Sequence, residues 1–115
     1  MPINSRNKGS VGERELAKVL RGYGYDVRRG QQYSGLEGED VVGIDELHIE
    51  VKRVEKLNID NALDQSIRDA KENQIPVVMH RKNHCDWKVT LRLDDFMTIF
   101  REHHSSMVLG GVDES

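Results

Sequence analysis

Asp40, Glu50 and Lys52 are the residues of this chain whose types and spacing can act together. Glu50 and Lys52 sit two apart in Leu-His-Ile-Glu-Val-Lys, an alternating run that reads as a strand. They and His48 therefore point to one face, while Leu47, Ile49 and Val51 point to the other. Asp40 opens a shorter apolar run containing Val41, Val42 and Ile44, and Gly43 with Asp45-Glu46 supplies turn chemistry between the two runs. If the runs pair as a hairpin, Asp40 lies beside Glu50 and Lys52. Two carboxylates and an ammonium on rigid strands can hold a hard cation and a water against a phosphate. Mg2+, with Mn2+ as a substitute, suits an oxygen shell built from Asp40, Glu50 and the carbonyl of Val51. Lys52 can orient a nucleophile and offset charge growing on phosphoryl oxygens.

The elements that must position these groups follow from the same patterning. Ser10 with Glu13 three residues on has the form of a capping box, opening a helix that ends near Gly22 and Gly24. Leu16, Ala17 and Leu20 form its inner stripe, with Tyr23 as a last member. Counting back by three and four from Leu16 and Ala17 puts Glu13 on that inner face, with Glu15 toward water. An inward carboxylate needs a partner. Glu13 has two readings, the cap and a further carboxylate at the metal site. Tyr25 to Arg29 reads as a first strand. Residues 30–38 form a loop of Gly, Gln and Ser that suits either a plain connector or close approach to a phosphodiester.

After the hairpin, Asn58 or Asp60 caps a second helix to about Asn73, with Ile59, Leu63, Ile67 and Ala70 inward and Gln65 on the flank. Val77 to Met79 is a short continuous apolar run, the mark of a strand buried on both faces. A helix between two strands implies a right-handed crossover and a parallel pair. Trp87, Val89, Leu91 and Leu93 alternate as a half-buried strand. Asp94 caps a last helix with Phe96, Ile99 and Phe100 inward. The expected division is one domain over 1–104 and a flexible tail over 105–115, where Met107, Val108 and Leu109 are available to dock on a neighbour. The order α-β-β-β-α-β-β-α describes a mixed five-stranded α/β sheet flanked by helices.

Composition bounds the rest. At 115 residues the chain makes one domain with a single core. Cys85 is the only cysteine, so no internal disulfide forms, and a reducing, cytoplasmic setting is expected. No signal peptide or membrane-spanning run is found. The net charge of -3 looks unsuited to a nucleic-acid partner. Net charge averages over faces, however, and the first thirty or so residues concentrate cations, among them Lys8, Arg14, Arg28 and Arg29. A basic strip and an ordinary mixed-charge surface both fit.

The motifs also carry a resemblance. Asn7-Lys8-Gly9-Ser10, Glu13-Arg14-Glu15-Leu16, Tyr33-Ser34-Gly35, Glu39-Asp40-Val41-Val42 and Ile49-Glu50-Val51-Lys52 resemble the motif series of archaeal-type Holliday-junction resolvases, within the PD-(D/E)xK nuclease superfamily. The resemblance implies a restriction-endonuclease-like fold and a Mg2+-dependent endonuclease for four-way DNA junctions, working as a homodimer. Residue by residue, it implies that Asp40 and Glu50 bind metal and that Lys52 positions or activates the attacking water. It puts Glu13 near the metal, Ser34 at the scissile phosphate and Gln65 in the place of a helix glutamine of some branches. Glu39 stands where the family motif has proline, which puts substrate preference in doubt.

Other readings stay open beside this one. Flaps, forks or duplex sites are alternative substrates, and a non-catalytic DNA-binding module is an alternative class. His80, His84 and Cys85 fit no standard zinc spacing. His103-His104 reads as surface at a helix end. Ser34 has no base placed to make it a covalent nucleophile, and Gly9-Ser10 with Gly12 lacks the pattern of a phosphate loop.

Overall fold

The computed structural model describes residues 5–30 and 40–113, with side chains over 11–30 and 40–108. Three helices and five strands follow in the order α1 (Ser5–Gly22), β1 (Arg28–Arg29), β2 (Val41–Val42), β3 (Leu47–Arg53), α2 (Ile59–Asp69), β4 (Ile75–Arg81), β5 (Lys88–Thr90) and α3 (Leu93–Asp113). The strands form one mixed sheet in sequence order. Only the β3–β4 pair is parallel, as the crossover through α2 requires. The expected five-stranded α/β architecture is the observed one.

β3 is the centre. The middle of the strand is buried on both faces, between β2 and β4 edge to edge and between α1 and α2 face to face. Leu16 and Ala17 of α1 join Val27, Val41, Ile49, Val51, Val77 and Met79 in the core. α1 approaches this face closely at Gly12, where a Cβ would stand 2.7 Å from Cβ of Arg53. The hairpin between β2 and β3 turns at Gly43, whose φ of +127° and approach to the Asp26 carbonyl, 2.4 Å from an added Cβ, admit no side chain.

Several expectations are corrected. α1 begins at Ser5, so Ser10 lies inside the helix and marks no end. Tyr23 is exposed, because the helix has already unwound into a turn in which its N–H donates to the Leu20 carbonyl. β1 is confined to Arg28–Arg29, the two residues that find partners on the equally short β2. Glu15 is not turned to water but pairs with Arg81 at 2.7 Å, with Arg53 next to it at 3.5 Å. This hydrogen bond holds the Glu15 carboxyl below its ordinary range.

α2 is rotated from the expected stripe and ends at Asp69. Its buried residues are Ala62 and Ser66, with Ile59, Leu63 and Ile67 only half-buried beside them. Two small residues one turn apart let the helix sit close on the sheet. The Ser66 hydroxyl lies within reach of the carbonyls of Val77 (3.0 Å) and His48 (3.3 Å), which satisfies a hydroxyl that is otherwise costly to bury. The Asn58 side chain caps the helix by accepting from the Asn61 N–H.

α3 departs most. It runs on through the segment read as a tail, and Phe96, Ile99 and Phe100 are exposed where they were expected to face inward. β5 explains the difference: Trp87 and Leu91 already pack on the core from either side of it, which leaves the helix beyond the sheet. No helix among the described residues is long and apolar enough to cross a membrane.

Candidate active site

Asp40 stands just before β2 and is tied to β3 at two points. Its N–H donates to the Ile49 carbonyl at 3.2 Å, and its carboxylate accepts the Val51 N–H at 2.8 Å. The second bond replaces a ladder partner that the two-residue β2 is too short to supply. The register Val41↔Ile49 sets Asp40 opposite Glu50, as the hairpin reading requires. Burial, followed by the negative charge of Glu50, pushes the Asp40 carboxyl up to about 7; Glu13 adds to the rise, while the Val51 N–H and Lys52 oppose it. Asp40, Glu50, Glu13 and Lys52 therefore share one electrostatic neighbourhood.

The alternation of β3 places His48, Glu50 and Lys52 toward α2, and Val51 and Arg53 toward α1. Glu50 is almost wholly buried, and its Oε1 lies 3.0 Å from Nε2 of the equally buried His48. Asp69, at the end of α2, brings a third ligand: His48, Glu50 and Asp69 each offer an atom within 4.8 Å of the others. Gln65, half-buried one turn before Asp69, lies on the same side of the helix. Lys52 is half-buried and makes no hydrogen bond or ion pair with another described residue.

Glu13 is buried on α1 as expected, and Arg29 of β1 donates Nε to its Oε1 at 2.9 Å. Arg29 is thus engaged with an acid of the site, whereas Arg14 and Arg28 are exposed. Ser34 lies outside the described residues, as does the side chain of Lys8. Across the sheet, the registers Lys52↔His80 and His80↔Lys88 align three basic residues on β3, β4 and β5. Directly opposed residues share a face, so this row starts at the site and crosses to the sheet edge. Burial, and then the charge of Lys88, holds the His80 imidazole below its ordinary value.

His80 and Cys85 line a cleft with Leu57 and Lys88, but the His80 ring is hydrogen-bonded to Thr90 at 2.9 Å. The ligand group found among the described residues is that of His48, Glu50 and Asp69; His80, His84 and Cys85 form none. Of these three ligands the sequence had marked Glu50 for the role and placed His48 on its face. Asp69 carried no signal, because only the fold brings the end of α2 over the middle of β3.

The donor set fits a divalent cation. His48, Glu50 and Asp69 form the compact group; Asp40 and Glu13 lie outside it but act on it through their charge, and the burial and the Glu50 repulsion that raise Asp40 are both costs that a nearby cation offsets. An acid ahead of the second strand, an acid and a lysine two apart on the third and a glutamate on the first helix, around a mixed sheet, make up a PD-(D/E)xK-like nuclease fold. The family model described as "Phage putative PDDEXK endonuclease" matches residues 4–110, and the chain belongs to that family. No curated protein and no solved structure matches it. The superfamily is the one that the motif series implied. The family model supports this superfamily and gives no support to the archaeal-type junction-resolvase branch in particular. Nucleases of the superfamily generally use divalent metal ions.

Proposed function

We propose that the protein is a divalent-cation-dependent, structure-selective DNA endonuclease. It hydrolyses phosphodiester bonds at branched DNA, with the four-way junction as its preferred substrate. The observation that carries the reading is the Asp40 carboxyl, fixed by the Val51 N–H opposite Glu50 and pushed up to about 7. A carboxyl that burial and a facing carboxylate together keep from ionising marks a site that a cation would complete.

Asp40 and Glu50 would hold the ion, Mg2+ or Mn2+, with Asp69 beside Glu50 and with the Val51 carbonyl and Glu13 as further oxygen donors. Such an ion would supply Lewis acidity toward the phosphate and would lower the pKa of the attacking water. His48 orients Glu50 through its ring nitrogen. Lys52, with no protein partner among the described residues, is available to the phosphate, where it orients the attacking water and balances the charge that grows on the phosphoryl oxygens. Arg14, Arg28 and Lys8 bind flanking phosphates, as does the row from Lys52 to Lys88. Ser34 and Gln65 complete the contacts to DNA. The cytoplasm is the setting of this reading. A junction has two-fold symmetry, so two copies of the chain act on it together.

The test is cleavage of a labelled synthetic four-way junction, with flap and linear duplex as comparators, in Mg2+ and in chelator. Cuts mapped to the nucleotide should fall near the branch, vanish with chelator, and fall at least about 100-fold in Glu50→Ala and Lys52→Ala. Junction cleavage by these variants at the wild-type rate would overturn the site. Equal cleavage of linear duplex would overturn the substrate.

A further inference from the structure

We infer that the exposed apolar stripe of α3 is an interface for a second copy of this chain, with the two helices antiparallel and crossing at Phe100. Along this helix Leu93, Phe96, Met97, Ile99, Phe100 and Met107 are 75%, 46%, 39%, 42%, 44% and 60% exposed, and Val108 is 54% exposed. One or two such residues on a surface mean nothing, but five between Leu93 and Phe100, with two more at Met107 and Val108, do. The row is preorganised: the Phe96 and Phe100 rings stack at 6.1 Å between centroids, and the Phe100 and His104 rings at 6.2 Å. The exposed parts of these side chains offer roughly 700 Å² per chain, close to the ~800 Å² per partner of a stable protein interface.

Charge narrows the occupant. Around the stripe stand Asp94, Asp95 and Glu102 against Arg101 and Arg92, the last paired with Asp95 at 2.9 Å; this near-balanced set offers no cationic face to nucleic acid or anionic lipid. Self-pairing can be centred on Phe100, the middle of the stripe. Leu93 lies seven residues before Phe100 and Met107 seven after; Phe96 and His104 lie four either side, and Met97 and His103 three. An antiparallel pair centred on Phe100 sets Leu93 on Met107, Phe96 on His104 and Met97 on His103, each contact occurring twice, with Arg101 opposite Ile99 and Arg92 opposite Val108 at its edges. That is the reciprocity a two-fold interface demands. The acidic first turn of each helix also comes to lie over the half of the other that carries His103 and His104. This pairing names the surface for the two-copy arrangement proposed above but does not depend on the substrate.

The experiment uses the full chain. Sedimentation velocity should show a dimer that dissociates in the micromolar range, and Phe100→Glu should weaken it at least about 100-fold. Because Phe100 is exposed, the variant should keep its far-ultraviolet circular dichroism. On a Cys85→Ser background, Phe100→Cys should form a disulfide with itself on mild oxidation and Leu93→Cys should not. Leu93→Cys mixed with Met107→Cys should cross-link as a heterodimer. A chain that stays monomeric to about 0.1 mM overturns the inference, whether or not it binds anionic vesicles. So does a dimer indifferent to Phe100→Glu, or self-cross-linking of Leu93→Cys equal to that of Phe100→Cys. A monomer that still cuts junctions leaves the nuclease reading standing, and a dimer inert on DNA leaves the interface standing.

Discussion

Nε2 of His48 and Oε1 of Glu50 lie 3.0 Å apart, and both side chains are almost entirely shielded from water. The pair joins two residues that the alternation of β3 brings side by side on one strand face. A buried carboxylate needs such a partner, and a carboxylate that must hold an ion needs a fixed direction. His48→Ala is expected to weaken divalent-ion binding about 10- to 100-fold and to lower cleavage by a similar factor, with His48→Gln recovering part of both. Calorimetric titration of Mn2+ into the folded variants, beside cleavage rates, checks this. Binding and rates equal to wild type in His48→Ala would mean that the ring only fills space.

The raised Asp40 carboxyl makes stability depend on pH with a definite sign. In the folded, ion-free chain it titrates near 7, against 3.8 for a free side chain. Below the lower value Asp40 is protonated in both states and costs nothing. As pH rises, the unfolded chain ionises first, so the folded state loses stability until Asp40 itself ionises. The loss has an upper bound of about 4 kcal/mol at ~1.4 kcal/mol per pK unit. Asp40→Asn lacks this term, although it keeps an oxygen to accept the Val51 N–H. In chelator, the Tm of Asp40→Asn should gain on that of wild type from about pH 4 to about pH 8. Divalent ions should stabilise wild type most at the upper end. A Tm difference that is flat across this range would refute the shift.

These two residues also show what the sequence makes legible. Alternation over Leu47 to Lys52 and a glycine at position 43 were enough to set Asp40 against Glu50, because a strand has a period of two and a hairpin a register. Glu13 was legible through its spacing from Leu16 and Ala17. Ser66 was not: a hydroxyl on a helix reads as solvated until the carbonyls of His48 and Val77 are brought to it. Asp69 was hidden for the same reason, since it joins His48 and Glu50 only once α2 has crossed the sheet. The inward placing of Phe96, Ile99 and Phe100 on α3 failed, because periodicity groups apolar residues on a helix and does not say what, if anything, covers them.

Gly12 couples packing to the site, and its replacement has an unexpected sign. In a helix interior Gly→Ala ordinarily stabilises by about 1 kcal/mol, through backbone entropy in the unfolded chain. Here a Cβ at position 12 would sit 2.7 Å from Cβ of Arg53 and 3.8 Å from Cγ1 of Val51. Cβ of Arg53 is fixed by the central strand and cannot swing aside, so α1 itself must lift from β3. Lifting α1 disturbs Leu16 and Ala17 in the core, and it carries Glu13, the next residue, away from Asp40 and Arg29. Gly12→Ala should therefore lower stability by about 1–3 kcal/mol, the usual cost of overpacking, and lower cleavage as well. Urea unfolding checks the first effect. The second is read at a temperature where the variant is fully folded, so that lost activity reports displacement of Glu13 and not unfolding. A variant as stable as wild type would show that α1 can slide along β3 at no cost.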